Sequence, residues 1–281
     1  MKKIYLLGIL ATIMLAGCSS AKPAESSSAD TSKAETTVAG ETTTAAVTDS
    51  KNTFTVGFDQ DFPPMGFVGD DGEFTGFDLE LAAEVAKRLG KEIKYQPIAW
   101  DAKDMELSSG TIDCIWNGFS IQGREDKYTW SKPYMNNEQV FVVKSDSSIE
   151  SIEDLAGKTV EVQVDSSAEA ALKENTELAS TFGKLQTVAD YNTGFMDLDM
   201  GGVDAIAMDS VVANYQITKR GGEGFTVLDT PLSTEEYGIG FKLGNEALRD
   251  EVQKALDEMK ADGTMKTISE KWFGKDVTTL N

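Results

Sequence analysis

Arg124 stands in NGFSIQGREDKYTW (residues 117–130), after an apolar run and a Gly-containing turn, where a side chain can project from a scaffold. Its guanidinium is a planar fork that grips a carboxylate through two parallel hydrogen bonds. Glu125 and Asp126 offer it a competing use, a surface ion pair worth about 0–1 kcal/mol. Ser166 and Ser167, in VDSSAEAALKE (164–174), lie where a strand gives way to a helix. Backbone N–H groups at such a start can point at an anion, while Ser166 and Glu169 also have the spacing of a capping box. Asp209 closes the apolar strand VDAIAM just before a further helix, a place that suits an N-cap. These are binding chemistries. The chain has no histidine, which excludes Ser-His-Asp and Cys-His catalysis and removes the commonest transition-metal ligand.

Composition narrows the field further. The 281 residues carry 26 Lys and Arg against 47 Asp and Glu, a formal net charge of -21, whereas nucleic-acid binding draws its affinity from clustered basic residues. No nucleic-acid partner, cofactor or metal is expected. Cys114, in the apolar run TIDCIWNG, has no His or basic cluster beside it in sequence and reads as a buried, inert thiol. The opening stretch MKKIYLLGILATIMLAGCSS joins two lysines to a short apolar run and small residues, the pattern of a signal peptide over residues 1–17. Leu15-Ala16-Gly17-Cys18 resembles a bacterial lipobox, which implies cleavage before Cys18 and a lipid on its sulfur. Residues 18–51 are rich in Ser, Thr and Ala without an aromatic, so they cannot bury enough apolar surface to order and read as a tether.

From residue 52 onward, strand-like runs alternate with helical ones. FTVGF predicts a strand, GEFTGFDLELAAEVAKRLG a helix with Leu79, Ala82, Ala83, Val85, Ala86 and Leu89 near one face and Gly90 as its stop, and KEIKYQPI the next strand. The alternation continues through AKDMELSSG, TIDCIWNG and EQVFVVK, then through a second series beginning at TVEVQV after a turn capped by Ser151 and Asp154. βαβ units with a largely parallel sheet follow. The expected fold is therefore α/β with two lobes, residues 52–136 plus 238–281 and residues 137–237, crossed twice near Asn136 to Gln139 and near Glu236 to Gly238. Two crossings make a hinge, and ligands of open α/β sheets lie at the carboxyl ends of strands.

GFDLELAAEVAKRLG, IDCIWNGFSIQGRED, WSKPY, SIEDLAGKTVEVQ, VDAIAMDS, EYGIGF and KWFG occur in the order seen in amino-acid-binding proteins of ABC importers. The chain resembles a polar-amino-acid solute-binding lipoprotein, bacterial extracellular solute-binding protein family 3, over nearly everything after residue 52. That resemblance implies the type II periplasmic-binding-protein-like fold, a ligand cleft between the lobes, no enzymatic activity, a monomer, and a lipid-anchored receptor on the outer face of the bacterial cytoplasmic membrane. Its partners would be an L-amino acid and an ABC permease. It also implies roles. Arg124 and Ser120 would hold the α-carboxylate, helped by Ser166 and Ser167; Asp209 and the backbone at Gly118 would take the α-ammonium. Phe62 and Trp100 would sandwich the side chain, Asp59 would contact its distal end, and Asn117, Gln163 and Met208 would line the pocket. Two aromatic faces and a carboxylate suit glutamine or a basic amino acid and fit an acidic one poorly. The same bilobed fold also serves cyclohexadienyl dehydratases, and a ligand-sensing surface lipoprotein is the other alternative.

Overall fold

The computed structural model describes residues 52–280; the expected signal peptide, Cys18 and the tether to residue 51 lie outside the described residues. The chain opens on β1 (Thr53–Phe58), which runs parallel to β5 (Glu92–Pro97) with Val56 opposite Tyr95. Between them come a small antiparallel meander, β2 (Asp61–Phe62), β3 (Gly66–Val68) and β4 (Phe74–Thr75), and helix α1 (Phe77–Arg88). The helix expected across the whole stretch begins only at Phe77. Gly76 ahead of it has φ 146°, and a Cβ there would lie 2.2 Å from the Met65 carbonyl oxygen, so only glycine turns the chain from meander to helix. Leu79, Ala82, Val85 and Ala86 are buried as the pattern predicts, and Gly90 follows the helix at φ 66°.

A single 3₁₀ turn (Trp100–Ala102) and α2 (Lys103–Ser109) lead to β6 (Cys114–Ser120), again parallel to β1. After β7 (Tyr128–Trp130) comes the ten-residue β8 (Met135–Lys144). The second series holds β9 (Thr159–Gln163), α3 (Ser167–Glu174), α4 (Thr176–Ala179), β10 (Lys184–Val188), α5 (Tyr191–Met200), β11 (Ala205–Asp209), α6 (Ser210–Lys219) and β12 (Phe225–Val227). The ten-residue β13 (Ser233–Lys242) then leads to α7 (Glu246–Ala261) and α8 (Thr264–Phe273).

The strands form one mixed sheet in the order β10-β9-β11-β8-β13-β6-β1-β5, with β12 on β8 and β7 on β13. Each half is parallel within its βαβ units, β1 with β5 and β6, β9 with β10 and β11. The antiparallel part is β8 and β13, where Met135, Asn137 and Gln139 face Tyr237, Glu235 and Ser233. From the ends of that shared stretch onward, at Gln139 and at Tyr237, β8 pairs with β11 and then β12, and β13 with β6 and then β7. A chain that leaves one half and returns must cross in opposite directions, which is why the sheet is mixed rather than largely parallel. Separate cores fill the halves, Trp100, Ile112, Ile115, Phe119 and Tyr128 in one and Phe141, Val160, Val162, Leu172 and Ala207 in the other. The largest apolar cluster spans both, taking in Phe58, Phe62 and Trp116 together with Tyr191, Met208 and Tyr237.

Candidate functional site

Arg124 is buried at 6% exposure, while Glu125 and Asp126 lie exposed, so the surface pair does not form. A tight turn aims it, with the Arg124 N–H donating to the Ile121 carbonyl at 2.9 Å and Lys127 N–H to the Arg124 carbonyl at 3.0 Å. Nη1 donates to Ser167 Oγ at 2.8 Å and, at a long 3.4 Å, to the Ser120 carbonyl, and Nη2 donates to the Asp165 carbonyl at 3.2 Å. The guanidinium also lies 5.3 Å from the Phe119 ring centre. Asp165 is the only non-glycine with positive φ among the described residues, at 56°, a conformation that aspartate tolerates better than most residues. Its carbonyl also accepts from Lys103 Nζ at 3.2 Å, and its carboxylate forms an ion pair with the same ammonium. Lys103 is 1% exposed and sits 5.0 Å from the Trp100 ring centre. Two cations of one half thus converge on the β9–α3 turn of the other.

That turn begins α3. Ser166 caps it, accepting from Glu169 N–H at 3.1 Å, but the Glu169 carboxylate accepts from Asp165 N–H at 2.8 Å rather than from Ser166. The expected capping box is therefore half formed, because the positive φ of Asp165 turns its own N–H toward the glutamate. Ser167 is engaged by Arg124, and Ser120 is buried opposite Tyr237 in the β6–β13 ladder.

Asp209 occupies the N-cap position of α6 without capping it. Its Oδ1 instead accepts from Asn137 Nδ2 at 2.9 Å, Gln139 Nε2 at 2.9 Å and Tyr237 Oη at 2.7 Å. Glu235 Oε1 accepts from the same two amides at 2.7 and 2.8 Å. Burial, and then the charge of Glu235, push the Asp209 carboxyl well above its usual range. Tyr237 therefore links the two ends of the site, lying beside Ser120 in the ladder while its hydroxyl reaches Asp209.

Gly118 lies in an irregular stretch of β6. Phe119 faces Gly238 and Ile115 faces Gly240, so Trp116, Asn117 and Gly118 stand across from Ile239 alone, a bulge of the kind that re-aims a strand beside a binding site. Gly118 has φ 54°, and a Cβ on it would lie 3.0 Å from Phe62 and 3.2 Å from Tyr237. Its N–H donates at 2.6 Å to Asp78, whose carboxylate also accepts from Tyr134 Oη at 2.9 Å. Burial pushes the Asp78 carboxyl up to about 7. Neighbouring Asn117 is 1% exposed, and neither polar atom of its side chain has a partner among the described residues. An orphaned buried amide of this kind costs about 1–3 kcal/mol, which a bound group can recover.

Asp59 is reached from across the halves by Gln163 Nε2 at 2.7 Å and also accepts from Asp61 N–H at 2.9 Å. Burial raises its carboxyl to about 6. It lines a cavity of about 430 Å³ with Trp100, Asp61, Asp101, Val164 and Asp190. This cavity lies at the carboxyl ends of β1, β5, β9 and β10, where ligands of open α/β sheets bind. Phe62 lies 6.0 Å from Tyr191, Trp100 meets Phe119 edge-on at 5.5 Å, and Met208 is fully buried in the shared apolar cluster. The sequence reading missed Lys103, Asp165, Asp78, Asn137, Gln139, Glu235 and Tyr237. A signal existed for four of them, since Asn137 and Gln139, like Glu235 and Tyr237, share the inward parity of their strands.

The sequence profile of "Bacterial extracellular solute-binding proteins, family 3" matches residues 54–275, and that of a "Prokaryotic membrane lipoprotein lipid attachment site" matches residues 1–19. The chain is 36% identical over 231 residues to L-cystine-binding protein TcyJ of Escherichia coli, covering 81% of this chain and 85% of that protein. An ABC uptake transporter substrate-binding protein from Streptococcus pneumoniae with bound histidine superposes with a TM-score of 0.78 at 37% identity, over 81% of this chain and 95% of that one. The ancestral amino acid-binding protein AncCDT-1, a precursor of cyclohexadienyl dehydratase, gives a TM-score of 0.72 at 33% identity, over 79% and 96% of the two chains.

Proposed function

The chain belongs to family 3 of the bacterial extracellular solute-binding proteins, and from that premise we propose that it is the lipid-anchored, extracellular receptor of an ABC importer and closes on a polar L-amino acid. In this reading the lobes are residues 52–136 plus 238–281 and residues 137–237. Arg124, Ser120 and the start of α3 at Ser166 and Ser167 hold the α-carboxylate. Asp209 takes the ammonium together with the Gly118 backbone. The side chain enters the space bounded by Asp59, Phe62, Trp100, Asn117, Gln163 and Met208. The observation that carries this is a single ladder step: Ser120, whose carbonyl Arg124 reaches, stands opposite Tyr237, whose hydroxyl reaches Asp209. A buried cation and a buried carboxylate, neither ion-paired among the described residues, are thereby fixed along one wall.

Closure follows from the ligand bridging both lobes, since a ligand that binds the closed state better shifts the population toward it. Each charge-assisted hydrogen bond contributes about 1.5–3 kcal/mol. Asp59 and its cavity favour a glutamine-like or basic side chain, and the likeness to a cystine-binding protein adds cystine to the candidates. The lipid on Cys18 holds the receptor at the membrane beside its permease. The test is a thermal-shift screen of the twenty amino acids with ornithine, citrulline and cystine, because a ligand of the folded state raises Tm by mass action. A polar or basic amino acid, or cystine, raises Tm; a response confined to glutamate and aspartate contradicts the assignment. Prephenate and arogenate, offered as substrates of the related dehydratases, undergo no turnover.

A further inference from the structure

We infer that Asp209 does not receive the ammonium alone: Glu235 is a second carboxylate of that site, and the pair shares one proton that the incoming ammonium displaces. The inference rests on the proposed docking of an amino acid's ammonium at Asp209.

The geometry carries it. Asp209 and Glu235 are 4% and 6% exposed. Asn137 Nδ2 donates to both at 2.9 and 2.7 Å, and Gln139 Nε2 to both at 2.9 and 2.8 Å. Each amide nitrogen has two hydrogens, so each bridges the two acids. Tyr237 Oη adds a fifth hydrogen bond at 2.7 Å. The three groups that donate these five bonds are all neutral, and no ion pair reaches either acid among the described residues. Two buried carboxylates this close, with no cation, keep a proton between them as coupled dyads do.

The surroundings do not supply the missing charge. From β8 come the two amides; from β13, Tyr237; from α5, the buried Tyr191 phenol; and from α6, Ser210, whose Oγ donates to Asn137 Oδ1 at 3.2 Å. Asp59, which faces the same Tyr191, adds a further acid. Burial and Glu235 hold the Asp209 carboxyl above its usual range. An ammonium has three hydrogens and one charge. On binding, it takes the place of the shared proton, which leaves to solvent, so affinity rises with pH through the titration of the pair. Asn137, Gln139, Glu235 and Tyr237 all lie on the two crossing strands, so the exchange occurs within the hinge.

Calorimetry at about pH 6.5, in two buffers of different ionisation enthalpy, counts the protons with L-arginine, L-glutamine and L-cystine as probes. The wild type is expected to release about one proton per ligand bound, and Glu235→Gln close to none while binding no more than about tenfold more weakly. No release by the wild type, or equal release by the variant, overturns the inference. A ligand-free arm tests the pair by itself. The folded pair retains a proton that unfolded carboxyls lose, so wild-type stability falls as pH rises. The Tm of Glu235→Gln therefore gains on that of the wild type between about pH 5 and about pH 8. A gap independent of pH overturns the shared proton. Absence of binding by these three and by every other amino acid of the thermal-shift screen overturns the amino-acid reading, and the ligand-free arm then decides the pair.

Discussion

The two ends of the cleft handle buried charge in opposite ways. At the Arg124 end, both cations find oxygen partners across the lobes: Lys103 meets the Asp165 carboxylate, and Arg124 meets the Asp165 carbonyl and Ser167 Oγ. At the Asp209 end, two carboxylates have only amides and a phenol for company. The first arrangement draws the lobes together. The second leaves a surplus of negative charge that destabilises the protein until a cation arrives. On the proposed function, binding strength at one end is built on contacts that also serve closure, and at the other on relief of repulsion.

The difference can be broken by removing one charge at a time. Arg124→Ala is expected to weaken amino-acid binding by at least about 100-fold, since it removes two charge-assisted bonds of about 1.5–3 kcal/mol each. Calorimetry reads the loss, and the protein remains folded by circular dichroism with a lowered Tm. Asp209→Asn weakens binding by about 10- to 100-fold but moves stability the other way. The sign follows from the raised carboxyl. In the folded state it keeps a proton that the unfolded chain gives up near its ordinary value, so stability is lost as pH climbs and the asparagine variant escapes that loss. Its Tm advantage over the wild type grows between about pH 5 and about pH 8. A lowered Tm throughout that range would contradict the contrast between the ends.

Lys103→Met tests the closing contact with a side chain that preserves apolar volume. Burial depresses the Lys103 ammonium before Asp165 compensates it, so the variant is expected to cost little stability. Ligand affinity falls about fivefold, because the closed state loses a preference of about 1 kcal/mol. Ligand-free small-angle scattering should show a larger radius of gyration. Smallest is Ser166→Ala, which removes an N-cap and lowers stability by about 1 kcal/mol, measured by urea denaturation. Its affinity changes less than that of any other variant, because the backbone N–H groups at the start of α3 remain.

The sequence contained more of the Arg124 end than of the Asp209 end, for a physical reason. Arg124, Ser120, Ser166 and Ser167 sit at transitions between elements, which local composition marks. Asp209 also sits at such a transition, but its spacing read equally as a cap. Choosing between those uses required knowing that β8 and β13 would bring Asn137, Gln139 and Tyr237 beside it. The parity that Asn137 shares with Gln139 in MNNEQ, and Glu235 with Tyr237 in STEEY, marks a common face of each strand but does not say which strand it meets, and polar residues there read as solvent-facing until their partners are known. The ion pair of Lys103 with Asp165, 62 residues away, was hidden likewise. The short β4 escaped because Phe74 and Thr75 precede a strong helical pattern, and only the demand on Gly76 separates them.

The central claim is that a zwitterion is held between Arg124 and Asp209. Calorimetric titration of the wild type with its best amino acid, the α-carboxamide of that acid and its N-acetyl derivative tests this most directly. The free amino acid is expected to bind one to one, and each blocked form to bind at least about 100-fold more weakly, having lost one end of the site. Near-equal affinity for either blocked form would contradict the assignment of that end.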